Sequence, residues 1–223
     1  MANLEHVELV KQGAKAVAAW RQDHPDTRLD LEKAELEDVN LAGMDLSGAC
    51  LHEAQLQRAN LSGANLQKAG LRGAQLQEAN LSKANLQDAH MVRVNLQAAC
   101  LQEALLHRVH LHGAHLEAAD LQAGHLQQTY LLWAYLVSAN LTGAQLQGAQ
   151  LQGANLQDAN LQQADLQASN FEGTVLGNTA FQHTNLQAAQ GLDMCLHLST
   201  SPLDAGTIAL SSPLPETFLD GCS

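Results

Sequence analysis

Eleven histidines are the residues of this chain most suited to chemistry, and they are unevenly placed. His90, His107, His110, His112, His115 and His125 fall within one short stretch, with Tyr130, Trp133 and Tyr135 close behind. Imidazoles at such density could ligate a divalent metal or take up protons near pH 6. A structural zinc site needs four closed ligands, and no Cys or carboxylate is spaced to complete the set around these histidines. The four cysteines, at 50, 100, 195 and 222, show neither metal-ligand nor disulfide spacing and read as reduced thiols. Ser, His and Asp all occur, but nothing in their spacing fixes a nucleophile, base and orienting acid. The expectation is therefore no catalytic residue, no cofactor and no metal.

The elements that carry these side chains follow from one regularity. From Leu31 to Leu186 every fifth residue is Leu, with Met91, Phe171 and Phe181 as the exceptions, giving 32 unbroken repeats. Two positions earlier stands a small residue, nearly always Ala. Five residues of α-helix advance about 500°, which scatters the leucines around the axis. In a flat strand an odd spacing sends them to alternate faces. Only a chain that turns once per repeat can bury all of them, and a short fixed period that winds its own core marks a solenoid.

The unit, as in Ala79-Asn80-Leu81 and Ala164-Asp165-Leu166, resembles that of the pentapeptide-repeat proteins. This resemblance implies an all-β solenoid, a right-handed quadrilateral β-helix of about eight coils, with one repeat per side and four repeats to a coil. It also implies that Leu61, Leu81, Leu101, Leu121, Leu141 and Leu161 stack in the core with Phe171 and Phe181. Residues one coil apart should form ladders, among them Asn40, Asn60 and Asn80, and Gly at the last position of a unit suits a tight corner.

Three segments follow. Residues 1–28 read as a capping segment, with one amphipathic helix over 3–22, capped by Asn3 and ended at Asp23-His24-Pro25. Residues 29–190 are the repeats. Residues 191–223 form a C-terminal tail of short helical turns punctuated by Pro202, Pro213 and Pro215, folded over the final coil. Both ends are similar to those of bacterial, especially cyanobacterial, pentapeptide proteins that continue into a TIR-type signalling domain. That resemblance implies a repeat arm whose effector domain is missing here.

The formal net charge is −12. Residues 1–108 hold 14 acids and all 11 Lys and Arg, whereas residues 109–223 hold nine acids and no Lys or Arg. Direct nucleic-acid binding is not expected. No apolar run approaches the roughly 20 residues of a membrane span, and the N-terminus lacks a signal-peptide core, so a cytoplasmic protein is expected.

Most outward positions are Gln and polar, but Leu105, His110, His115, Tyr130, Leu132, Trp133, Tyr135 and Val137 form a candidate partner surface. The competing expectation is that Trp133 lies over its axial neighbours Gly113 and Gly153 and only covers bare backbone. The functional reading is a non-enzymatic scaffold or protein-protein interaction module, monomeric or weakly dimeric, with an unknown protein partner. An alternative is a DNA-mimicking binder of a topoisomerase such as DNA gyrase, as in the family's quinolone-resistance members. Those members commonly carry loops that interrupt the coil, whereas the repeats here run without an insertion, and the charge is too sparse for B-DNA; both count against that alternative.

Overall fold

The computed structural model describes residues 2–222. Its body is a stack of parallel coils. Isolated parallel bridges join each residue to its counterpart four repeats on, from Asp30↔Cys50 to Asn170↔Gln190, so residues 30–190 span eight such periods. Each repeat contributes one bridge residue, and each side of the rod is therefore a column of such residues.

One unit shows why the sequence winds this way. Leu61 donates its N–H to Asn80 O at 2.7 Å, Gly63 to Ser82 O at 2.8 Å, and Asn60 to Val39 O at 3.0 Å. Ala64 N then bonds Leu61 O at 3.0 Å, closing the turn. The Asn before the Leu adds a local bond, because Asn60 Oδ1 accepts from Ser62 N at 3.1 Å; Asn is suited to this role. Asn60 Nδ2 also donates to Asn40 Oδ1 at 3.2 Å, which makes the start of the expected ladder. The second residue after each Leu is left-handed at corner after corner, whether glycine (Gly63, φ 63°) or not (Arg93 and Trp133, both φ 54°). Glycine is thus favoured at the corners but not required.

The inward pair is fully enclosed. Leu61, Leu81, Leu101, Leu121, Leu141 and Leu161 are buried, as are Phe171 and Phe181, and burial of each Leu contributes about 1.5–3 kcal/mol before entropy. Toward the C-terminal end Thr replaces the inward Ala. Thr174, Thr179 and Thr184 donate to the carbonyls of Leu151, Leu156 and Leu161 at 2.8–2.9 Å, so a hydroxyl is accommodated without an orphaned donor.

The ends differ from the sequence expectation. The N-terminal segment is two helices, α1 (Leu4–Lys11) and α2 (Ala14–Asp23), not one. Gly13 between them has φ 98°, ψ 175°, a conformation that leaves the helical region and suits only glycine. Asn3 does cap α1, accepting from Glu5 N at 2.9 Å. Val7, Val10 and Val17 join the core, and Asn3 N bonds Asp30 O on the first coil.

The tail does more than fold over the last coil. Leu196–His197 (β2) pairs in parallel with Val175–Leu176 (β1), in the register Val175↔Leu196, one position longer than the period of the repeats. Phe181 N bonds Pro202 O at 3.0 Å. A further rung is thus laid down with one extra residue, introduced after the left-handed Gly191 by the 3-10 turn Leu192–Met194. Helices α3 (Ala205–Ser211) and α4 (Glu216–Gly221) follow, and Phe218 meets Phe181 edge-on at 5.7 Å. Asp204 caps α3, accepting from Thr207 N at 2.8 Å and from His183 N at 3.0 Å, and these bonds hold its carboxyl down at about 2.

Replacing Leu121 by Ala removes a side chain packed on all sides and should cost about 2–5 kcal/mol, read as a lowered midpoint in urea unfolding with an unchanged slope.

Candidate functional site

Two adjoining sides of the rod carry most of the clustered histidines and the exposed aromatics, while His107 and His125 meet at 5.8 Å on the side of Leu105. On the first, His90, His110 and Tyr130 occupy successive coils. Their rings stack at 5.1 Å and then 4.8 Å, with interplanar angles of 17° and 9°. His112, from the following corner, stacks on both His110 and Tyr130 at 5.9 Å. On the next side His115 and Tyr135 stack at 4.8 Å and 9°. His115 Nδ1 also meets Glu117 Oε1 at 3.0 Å. The coil period brings these rings together, since the rungs set coplanar side chains about 4.8 Å apart.

Trp133 stands on the corner between the two sides and is 64 % exposed. It leans toward the next coil, where a methyl group on Gly153 would lie 2.5 Å from the indole Cδ1. Of the two glycines that the sequence placed beneath it, the tryptophan covers Gly153 and not Gly113, which only the Arg93 stem approaches, and it still presents most of its surface to solvent. Tyr135 and Tyr130 are 46 % and 38 % exposed. A shallow groove of about 470 Å³ opens beside Trp133, lined also by Arg93, His112, Gly113, His115 and Tyr135.

Not every residue of the sequence-derived surface lies here. His110, His115, Tyr130, Leu132, Trp133 and Tyr135 share the two adjoining sides and the corner between them. Leu105 belongs to the column Asn85, Leu105, His125, across the rod from the His115–Tyr135 column. Val137 sits on the corner beyond Tyr135, and both it and Leu105 are only partly exposed. Sequence reasoning named Gly113 only as a neighbour of Trp133 and missed Arg93, although Gly73 and Gly113, one coil to either side of Arg93, were legible as a sign that its corner is bare.

Among the described residues the histidines form no group of three donor atoms within 4.8 Å of one another; the one such group is Asp30, Glu32 and Cys50, on the first coils. The four cysteines are free thiols. Burial pushes Cys195 up to about 12 and Cys222 up to about 11, so both stay protonated. Among the described residues, no helix is long and apolar enough to cross a membrane.

A profile of pentapeptide repeats (8 copies) matches residues 27–63, 54–91, 89–128, 114–153 and 159–190. The chain belongs to the pentapeptide-repeat family. Among solved structures it is similar to HetL, a pentapeptide repeat protein involved in heterocyst differentiation regulation from the cyanobacterium Nostoc sp. strain PCC 7120. That match has 25% identity over 82% of this chain and 95% of the other, with a TM-score of 0.41. It is also similar to trypsin-treated QnrB1, a plasmid-mediated fluoroquinolone resistance protein, at 20% identity over 78% and 90% of the two chains, with a TM-score of 0.52. Family and QnrB1 likeness together imply that the coils form a right-handed quadrilateral β-helix. No curated protein matches the chain.

His110 in the stack and His107 beside His125 should make stability depend on pH. Burial, then the neighbouring His90 and His112, lower the pKa of His110, against the opposing pull of Asp88. Burial, His125 and Arg108 lower that of His107, again against Asp88. Both groups hold fewer protons folded than unfolded, so their contribution is intact above about pH 6.5 and is lost as pH falls through the lowered folded values. Thermal melts should show a lower Tm at pH 5 than at pH 7.5, and the double variant His107→Gln, His110→Gln should show a smaller drop.

Proposed function

We propose that this pentapeptide-repeat protein is a non-enzymatic interaction module, a rigid scaffold that presents the Tyr130–Trp133–Tyr135 face to a protein partner. The observation that carries the reading is the rarity of such a face. Along residues 29–190 the exposed large apolar side chains are Tyr130, Trp133 and Tyr135, on an otherwise polar rod. Aromatic side chains grouped in this way are typical contact anchors. Trp133 adds a second argument. A left-handed backbone disfavours bulky residues by about 1 kcal/mol or more, and the axial neighbours at that corner are both glycine. The four free thiols fit a reducing cytoplasm.

A DNA-mimicking topoisomerase binder is the second reading, favoured by the absence of Lys and Arg from residues 109–223. The coils are too sparsely charged for close mimicry. Residues 31–190 hold 14 acids against seven bases over about 40 Å, where B-DNA would carry about 20 charges.

A photo-crosslinking amino acid at position 133, compared with one at position 160 on another side, separates these readings. Protein adducts from 133 and not from 160 in a host lysate are expected, and no adduct from 133 would sink the interaction face. Gyrase among the adducts, with inhibition of supercoiling that Trp133→Ser removes, would promote the topoisomerase reading.

The helical ends fit a capping role, because an open coil exposes both core and unpaired backbone. Deleting residues 1–28 should convert a monomer or weak dimer into concentration-dependent, end-to-end oligomers in sedimentation velocity.

A further inference from the structure

One corner of the rod reads, in chain order, Lys33, Glu53, Gly73, Arg93, Gly113, Trp133, Gly153 and Gly173, each left-handed and each one coil beyond the last. Where cations meet carboxylates at this spacing they pair. Lys33 reaches Glu53 at 3.5 Å and Lys83 reaches Glu103 at 3.7 Å. Arg58 grips Asp38 through two bonds of 2.8 Å, and Arg108 grips Asp88 at 2.7 and 2.9 Å. Arg93 has glycine on both sides and makes no ion pair among the described residues. Its stem runs over Gly113, where a methyl group would lie 3.8 Å from Cγ.

Arg93 and Trp133 thus stand two coils apart, about 10 Å, with bare backbone at Gly113 between them. Val92 and His112 border this notch on one side, and His115 and Tyr135 on the other. It offers an unpaired guanidinium at one end and an exposed indole at the other. The nearby Glu117 is engaged by His115.

We propose that the notch over Gly113 binds a single acidic residue of a partner protein, its carboxylate on Arg93 and an adjacent apolar side chain on Trp133. A guanidinium fork matches a carboxylate in shape and charge, and an indole face takes flat apolar groups. The rest of the surface decides against a polyanion. With a net charge of −12 and one unpaired cation in the notch, an isolated carboxylate is attracted, whereas a nucleic-acid backbone is repelled.

The proposal rests on the aromatic face being a contact surface, and its test is separable from that one. The 223-residue chain has two tryptophans, so the Trp133 indole N–H gives one of two resolvable signals in a proton–nitrogen correlation spectrum. The probes are a capped Phe-Glu-Phe peptide, its Phe-Gln-Phe counterpart and a short oligothymidylate.

The Glu peptide should shift the Trp133 signal saturably, and the Gln peptide should bind about three- to tenfold more weakly, the range for one charge-assisted contact at a partly exposed site. Arg93→Gln should abolish that difference while both peptides still perturb Trp133. Gly113→Leu should block both, whereas Gly143→Leu, an equally left-handed corner elsewhere, should block neither and so controls for backbone strain. Equal binding of the two peptides by the native protein, or discrimination surviving Arg93→Gln, would overturn the proposal, as would tighter binding of the oligothymidylate. If neither peptide binds while position 133 still yields protein adducts, the acidic-residue assignment fails and the contact face stands.

Discussion

Each coil hangs on the next by backbone hydrogen bonds of the kind that joins Leu61 N to Asn80 O, and the rest of the structure depends on their fixed spacing. The bonds run along the rod axis, so every repeat must bend the chain by a quarter turn and return its N–H and C=O groups to the axial direction. A left-handed residue at the corner achieves the bend. The small strain at each corner is offset collectively by the bonds and by the closed file of leucines inside. A chain so constrained leaves only the outward positions of each repeat free to vary, and function must be sought there.

This arrangement explains why the described surface holds platforms, ladders and open grooves. Bridge residues stand in columns with rings or amides stacked, as at His90, His110 and Tyr130. Corner residues lean toward a neighbouring coil, where a carboxylate, a glycine or an amide stands. A salt-bridged rung results at Arg108 and Asp88, and a cleft results at Arg93 and Gly113. Opposed faces are kept apart by the core, so sequence proximity is a poor guide to contact. Leu105 and Tyr135 are separated by one and a half coils and lie across the rod from each other, whereas Arg93 and Trp133, two full coils apart, share a corner.

The solenoid was legible because period five leaves the chain one way to bury its leucines. Buried Leu61 and Leu161, the start of the Asn40–Asn60 ladder and the seating of Trp133 on Gly153 all follow from counting by repeats and by coils. The ends resisted the same arithmetic. Gly13 interrupts a helical pattern without altering its apolar spacing, and its φ of 98° becomes visible only in three dimensions. In the tail, one residue inserted after Gly191 breaks the count while the pairing continues, so a further rung looked like a terminus. The candidate site was half legible. Aromatic residues advertise themselves by type, but the role of Arg93 lies in what its neighbours lack.

The coil-to-coil bridge has a consequence for how such a surface changes over time. Every outward side chain has an address made of a coil number and a corner, and the two parts of the address respond differently to insertion. Adding one pentapeptide between residues 93 and 133 would rotate everything downstream by a quarter turn, moving the indole to a different edge from the guanidinium. Adding four would leave both on the same edge, one coil further apart. Duplication in whole coils therefore lengthens the rod while conserving which groups share a face, and slippage by single repeats rewrites the faces without disturbing the core.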